Sequence, residues 1–196
     1  MLLSRSAAFE VCLIALLTLL WSCHSKDKKA EDAAIISLEI DWQKADSSWK
    51  KMISSDDGKI ENINRLISEL LLLDGCDSAL LLQCREKSTQ MASGRYNKGN
   101  IREPGRIEKF DSLSIHIINS LQKETNRIPG ATDFQLINQL LNEIKAADDS
   151  VIFYRKDYDH HVDTLNQNIR KNKKILEVLG DSSTKFRTYP VFRLIP

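Results

Sequence analysis

The chain has 196 residues, enough for one domain plus a leader, and its 28 Lys+Arg against 27 Asp+Glu give a formal charge of +1, which excludes a polyanion-binding surface built on net charge. Hydrophobic content of 42% with only seven Gly and four Pro excludes a disordered chain and disfavours an all-β one. Of four cysteines, Cys12 and Cys23 fall in the leader, so Cys76 and Cys84 alone remain in the body, too few for a disulfide scaffold.

The N-terminus, MLLSRSAAFEVCLIALLTLLWSC, places Arg5 before an uninterrupted apolar run from Val11 to Leu20. Ten residues fall well short of the roughly 20 that cross a bilayer as a helix, so a secretory leader is expected over 1–22. Leu20-Trp21-Ser22-Cys23 looks like a lipobox, and a charged tract, HSKDKKAED, follows at once. The expectation is cleavage before Cys23, lipid on its sulfur, and a solvated tether over 23–31. Trp21 is bulky for its position and Glu10 is unwelcome in the run. An uncleaved anchor from Ala7 to Trp21, or ordinary cleavage without lipid, are the alternatives. A lipid anchor makes the membrane a partner and places the body outside the cytoplasm, in the bacterial cell envelope.

From Ile35 the residues Leu38, Trp42, Ala45, Trp49 and Met52 alternate steps of three and four, the stripe of an amphipathic helix over about 31–54. Ser54-Ser55-Asp56-Asp57-Gly58 is expected to stop it, or to kink it, and to cap a second helix carrying Ile60, Ile63, Leu66, Ile67, Leu70 and Leu73. The phase slips at Asp74-Gly75 before Leu80, Leu81, Cys84 and Met91 resume it, so a local irregularity is expected there. A continuous helix would hold Cys76 and Cys84 about 12 Å apart, beyond disulfide reach; a turn at Asp74-Gly75 would reopen the question.

The segment SGRYNKGNIREPG, 93–105, lacks periodicity and reads as a solvated connection, with anion docking as the lesser alternative. A third helix follows with Ile107, Phe110, Leu113, Ile117 and Leu121, ending at Ile128-Pro129-Gly130. Thr132 or Asp133 then caps the longest element, which runs to Leu179 with Gly180 as its stop. Phe134, Ile137, Leu141, Ile144, Asp148, Val151, Arg155, Tyr158, Val162, Leu165, Ile169, Asn172, Leu176 and Leu179 hold strict 3-4 spacing, eleven of the fourteen apolar. An unbroken helix here would be about 70 Å long and needs helical partners along its length. The predicted fold is all-α, an antiparallel up-and-down bundle of three to four long helices occupying 32–192.

The stretch DFQLINQLLNEIKAADDSVIFYRKDYDHHVDTLNQNI resembles the hallmark helix of the LemA family, with Asp148, Arg155, Tyr158, Val162, Asn166 and Ile169 at the family's positions. Pro129, Trp49 and the C-terminal aromatic Phe192 also fit. Asp159, Leu165 and Asn172-Lys173 depart from the usual Asn, Tyr and Phe-Pro, and DDGKIENINRL replaces the double-arginine stretch, so the likeness is to a divergent member. The resemblance implies an all-α, extracytoplasmic bundle tethered at its N-terminus, without an established activity.

Asp148 and Arg155 interrupt the apolar seam about 10.5 Å apart along the axis, so each needs a partner on another helix. With Tyr158 and Asn166 they form a candidate buried polar network, and Glu124, Ser114 and Asp111 are candidate partners for Arg155. Such groups either fix register or line a ligand pocket. Asp157 to His160 copies one carboxylate-x-x-His motif of di-iron bundles, but those sites need two copies, and Asp157 and His160 are expected to point away from the seam beside which His161 lies. A metal site is not expected, and neither is a cofactor. No Gly-flanked serine and no phosphate loop occurs, so no enzyme is expected. Two functions remain: a lipid-anchored scaffold or docking module for envelope proteins, or an extracytoplasmic helical module holding a small ligand or metal near Asp148, Arg155 and His161.

Overall fold

A computed structural model describes residues 4–192, with side chains for 28–180 and 183–192. Among these residues the fold is all-α, with five helices: α1 (Ser4–Leu70), α2 (Ser78–Ser93), α3 (Arg106–Arg127), α4 (Gln135–Lys171) and α5 (Lys173–Leu179). Short 3-10 turns, Ala131–Asp133 and Gly180–Ser183, precede α4 and follow α5.

The α1–α4 contact is the most extensive in the molecule. Its cross-links pair Asp41 with Asn168, Lys59 with Asp148 and Asn62 with Glu143, so numbers rise on α1 as they fall on α4 and the two helices run antiparallel. Leu38, Ala45, Met52, Ile63, Leu66 and Leu70 from α1 meet Ile137, Ile144, Val162 and Leu165 from α4 in one core, each less than 5% exposed. Burial at this level is worth about 1.5–3 kcal/mol per large aliphatic side chain. Hairpins of α2 and α3 cover the C-terminal half of α1, with Met91, Phe110, Ile117 and Leu121 buried beneath them.

The stop expected at Ser54–Gly58 is absent: α1 continues through it. Asp56 and Lys59 occupy the inward positions of the same 3-4 alternation, Met52, Asp56, Lys59, Ile63, and both are 2% exposed. They satisfy each other and residues on neighbouring elements, so the Ser/Asp cluster has no need to turn the chain. Gly58 leaves open space where a Cβ would stand, and costs the helix only about 1 kcal/mol relative to Ala. The helix likewise runs without break across the 22/23 and 31/32 boundaries, and residues 28–31 of the expected tether are solvent-exposed and helical.

At Asp74-Gly75 the irregularity is a full break. The chain turns between α1 and α2 with Gly75 at φ +78°, a left-handed conformation that a Cβ disfavours. The Asp77 side chain accepts from the Leu80 N–H at 3.0 Å and caps α2. Cys76 thus lies in the turn and Cys84 inside α2; both are free thiols.

The connection between α2 and α3 is not merely solvated, because Tyr96 and Ile101 are 1% and 4% exposed. Before α4, Thr132 and Asp133 do not cap. They belong to the 3-10 turn, and Phe134 at the cap position makes no side-chain cap bond. Phe134, expected in the seam, is 54% exposed, and Leu140 rather than Leu141 is the buried member of its pair. The long helix is interrupted at Asn172, which leaves α4 at 37 residues, about 55 Å. The Asn172 amide donates to the Asn168 carbonyl at 2.9 Å, local side-chain bonding of the kind that competes with helix propagation. Gly180 ends α5 at φ +54°, as its position predicts. No described helix is long and apolar enough to cross a membrane.

Candidate functional site

Midway along the bundle, α1, α3 and α4 bring five charged side chains together: Asp56 and Lys59, Asp111, Asp148 and Arg155. Lys59 Nζ lies 3.0 Å from Asp148 Oδ1 and 3.8 Å from Asp56 Oδ1, with its side chain 1% exposed. Ser114 donates to the same Asp148 oxygen at 3.1 Å. Arg155 donates from both terminal nitrogens to the two Asp111 oxygens, each at 2.7 Å, a bidentate pair. Three acids face two bases; Asp111 and Asp148 keep 35% and 31% of their side chains exposed, whereas Asp56 keeps 3%. Consistently, burial raises the Asp56 carboxyl above its ordinary value, although a hydrogen bond from the Tyr96 hydroxyl and the charges of Lys59 and Arg155 oppose this. Burial costs the Arg155 guanidinium its solvation, but the Asp111 carboxylate and the Tyr96 hydroxyl together outweigh that loss and hold its pKa above the usual range.

Around this cluster stands an aromatic cage from five parts of the chain: α1, the α2–α3 connection, α3, α4 and the C-terminal segment. Tyr96 packs edge-on to Phe110 at 5.3 Å and to Phe192 at 5.5 Å; Trp49 stacks on Phe192 at 6.3 Å and tilts onto Tyr158 at 5.1 Å. The Arg155 guanidinium sits 5.4 Å from the centroids of both Tyr96 and Phe192, a favourable cation–π geometry. Its Nε has no partner among the described residues. Trp49, Arg155, Tyr158 and Phe192, far apart in the sequence, therefore converge in space.

The four candidate network residues do not form one hydrogen-bonded network. Asp148 belongs with Lys59 and Ser114, and Arg155 with Asp111. Tyr158 and Asn166 instead clip the C-terminal segment: Asn166 donates to the Tyr189 carbonyl at 2.8 Å and accepts the Tyr189 N–H at 2.9 Å, while the Tyr158 hydroxyl donates to the Pro190 carbonyl at 3.2 Å. The Phe192 N–H adds a bond to Asp159 at 2.7 Å. Of the partners considered for Arg155, Asp111 is the one bonded; Glu124 is held by Arg127 and by the Asp77 N–H, both at 2.6 Å.

Asp157 shares its face with His161, whose Nε2 lies 3.6 Å from it, rather than pointing away with His160. No group of three or more His, Cys, Asp or Glu side chains among the described residues is arranged to hold a metal. Cys23 lies on α1, and its side chain is outside the described residues.

The buried cluster opens to solvent on one side. The apolar stripes of α3 and α4 are turned toward α1, so the facing flanks of α3 and α4 stand apart and enclose a groove of about 410 Å³. Leu66, Leu121 and Ile144 form its floor, and Asp148, with 31% of its side chain exposed, stands at one end. Asn119, Gln122 and Asn126 line the α3 wall; Asn138, Asn142 and Lys145 line the α4 wall. Sequence reasoning missed Asp56, Lys59, Tyr96 and this amide-lined groove. No family model matches the chain, and no curated protein or solved structure matches it either.

Proposed function

We propose that this chain is a lipid-anchored cell-envelope protein, a divergent LemA-like antiparallel up-and-down bundle, which acts as a scaffold or docking module and not as an enzyme. The observation that carries the docking reading is the α3–α4 groove. It is open at the surface, its apolar floor of Leu66, Leu121 and Ile144 is part of the buried core, and Leu66 lies on α1, the helix that also carries Cys23. Leu66 in its floor is 43 residues beyond Cys23 on α1, so an anchored chain would carry the groove about 65 Å along one helix from the lipid. That reach supports engagement of other envelope proteins at a distance from the bilayer. The resemblance of Leu20-Trp21-Ser22-Cys23 to a lipobox supports the anchor, and the buried ion pairs serve to fix helix register.

Metabolic labelling with a fatty acid tests the anchor: label in the parent and none in Cys23→Ser is expected, and label retained by Cys23→Ser overturns it. Chemical crosslinking of the full chain in its native envelope, followed by mass spectrometry, tests docking. Reproducible protein adducts are expected; none above the uncrosslinked control overturns the reading. The alternative, a small-ligand or metal-binding module, draws on Asp148, which lines the groove with 31% of its side chain exposed and whose two protein contacts both reach Oδ1, leaving Oδ2 without a partner among the described residues.

A further inference from the structure

We infer that the α3–α4 groove binds an extended peptide segment and reads its backbone through the carboxamides of its walls. This rests on the docking reading above and specifies the form in which a partner would be held.

Asn119, Gln122 and Asn126 recur at steps of three and four on α3, and Asn138 and Asn142 at a step of four on α4, so each set lies along one face of its helix. The pairing of Asp111 with Arg155 and of Ser114 with Asp148 runs α3 and α4 antiparallel, and the two rows line the same groove from opposite walls. Asn138 already donates to the Thr132 carbonyl. The other four carboxamides are exposed and have no protein partner among the described residues. Each carries both an N–H donor and a carbonyl acceptor, the same pair that a peptide group presents.

The charges in the groove are already compensated. Lys145 pairs with Asp149 at 3.1 Å and Asp148 with Lys59 at 3.0 Å. Hydrogen-bonding capacity without net charge disfavours phosphate, nucleotides and strongly acidic ligands, and selects a neutral ligand rich in paired donors and acceptors. A glycan has the hydroxyls, but sugar faces are usually held on aromatic rings, and no aromatic residue lines this groove. The aliphatic floor of Leu66, Leu121 and Ile144 suits an apolar side chain better.

Dimensions agree. Asn119 to Asn126 spans seven residues, about 10.5 Å, and Asn138 to Asp149 eleven, about 16.5 Å. At about 3.3 Å per residue, an extended chain of three to five residues occupies that length. Alternate residues would turn one side chain to the floor and the next to solvent, while backbone groups face both walls. The free oxygen of Asp148 would favour a basic or hydroxyl side chain at its end of the groove.

The experiment uses the full chain in lipid nanodiscs and a random linear nonapeptide library displayed on phage, with counter-selection on the triple variant Asn119→Ala, Gln122→Ala, Asn142→Ala. These side chains are exposed, so the variant keeps its fold, which circular dichroism checks. The expected result is a set of peptides with apolar residues at alternate positions, bound at least about tenfold more weakly by the triple variant. Resynthesis with single backbone amides replaced by esters then asks whether the backbone is read, and a loss of about tenfold at alternating positions is expected. Peptides bound equally by parent and variant, no enriched peptide, or indifference to ester replacement each overturn the inference. Protein adducts from the native envelope without peptide selection would leave docking standing and remove only this mode of it.

Discussion

Replacing Arg155 with Met removes a guanidinium whose side chain is 3% exposed and leaves Asp111 without its counter-ion. Breaking one side of a fully buried pair costs about 3–5 kcal/mol. Asp111, however, keeps 35% of its side chain exposed, and water recovers part of the lost interaction, so about 2–3 kcal/mol is expected here. Met fills much of the arginine stem, which keeps the packing loss small. The reverse substitution, Asp111→Leu, strands the cation instead. Arg155 is the more deeply buried partner and already has one nitrogen unpaired, so this variant is expected to cost more, about 3–5 kcal/mol. The double variant should regain about 1–2 kcal/mol over Asp111→Leu, because a buried pair is often worth little net against good packing. Urea unfolding followed by circular dichroism measures all four proteins. For a domain of this size, the Arg155→Met loss corresponds to about 5–10 °C in Tm. An Arg155→Met protein as stable as the parent would refute the register-setting role and move Arg155 to a ligand-lining one.

Linkage gives opposite signs at two other carboxylates. The Asp56 pKa is raised by burial above its ordinary 3.8, so the stability it contributes is full below that value and is lost as pH rises through its folded pKa; Asp56→Asn should flatten this fall in urea titrations run upward from pH 3.5. Arg127 and the Asp77 N–H lower the Glu124 pKa below its ordinary 4.5 against the opposing effect of burial. Glu124→Gln should therefore lose about 1–2 kcal/mol at neutral pH, and the deficit should vanish as pH falls through the folded pKa. Burial pushes the Cys84 thiol up, and it is buried where Cys76 is half-buried, so iodoacetamide mapped by mass spectrometry should label Cys76 first. Gly75→Ala, at φ +78°, should cost about 1–2 kcal/mol in thermal unfolding.

Periodicity made α3 and most of α4 legible, because each is an amphipathic helix whose apolar stripe faces one partner surface. It also marked Asp148 and Arg155 as seam positions and included Asp111 among the possible counter-ions. The continuity of α1 was obscured by Ser54–Gly58, a local sequence that favours a stop but whose Asp56 and Lys59 side chains find tertiary partners. Following the 3-4 spacing through polar residues, from Met52 to Asp56, Lys59 and Ile63, would have revealed it. Tyr96 was hidden in a connection rich in Gly and basic residues, although a tyrosine and an isoleucine there were signals of burial. The groove was illegible for a different reason. Its walls are the polar flanks of two helices, and only the way α3 and α4 each lean on α1 makes those flanks face one another.

The docking account is tested most directly by a photoreactive amino acid placed in the full chain at Asn142, in the groove wall, or at Gln167, an exposed position on α4 outside it. Irradiation in the native envelope should give discrete protein adducts from position 142 and none from 167. Adducts of equal yield from both positions, or none from 142, would contradict the assignment of the groove as a docking site.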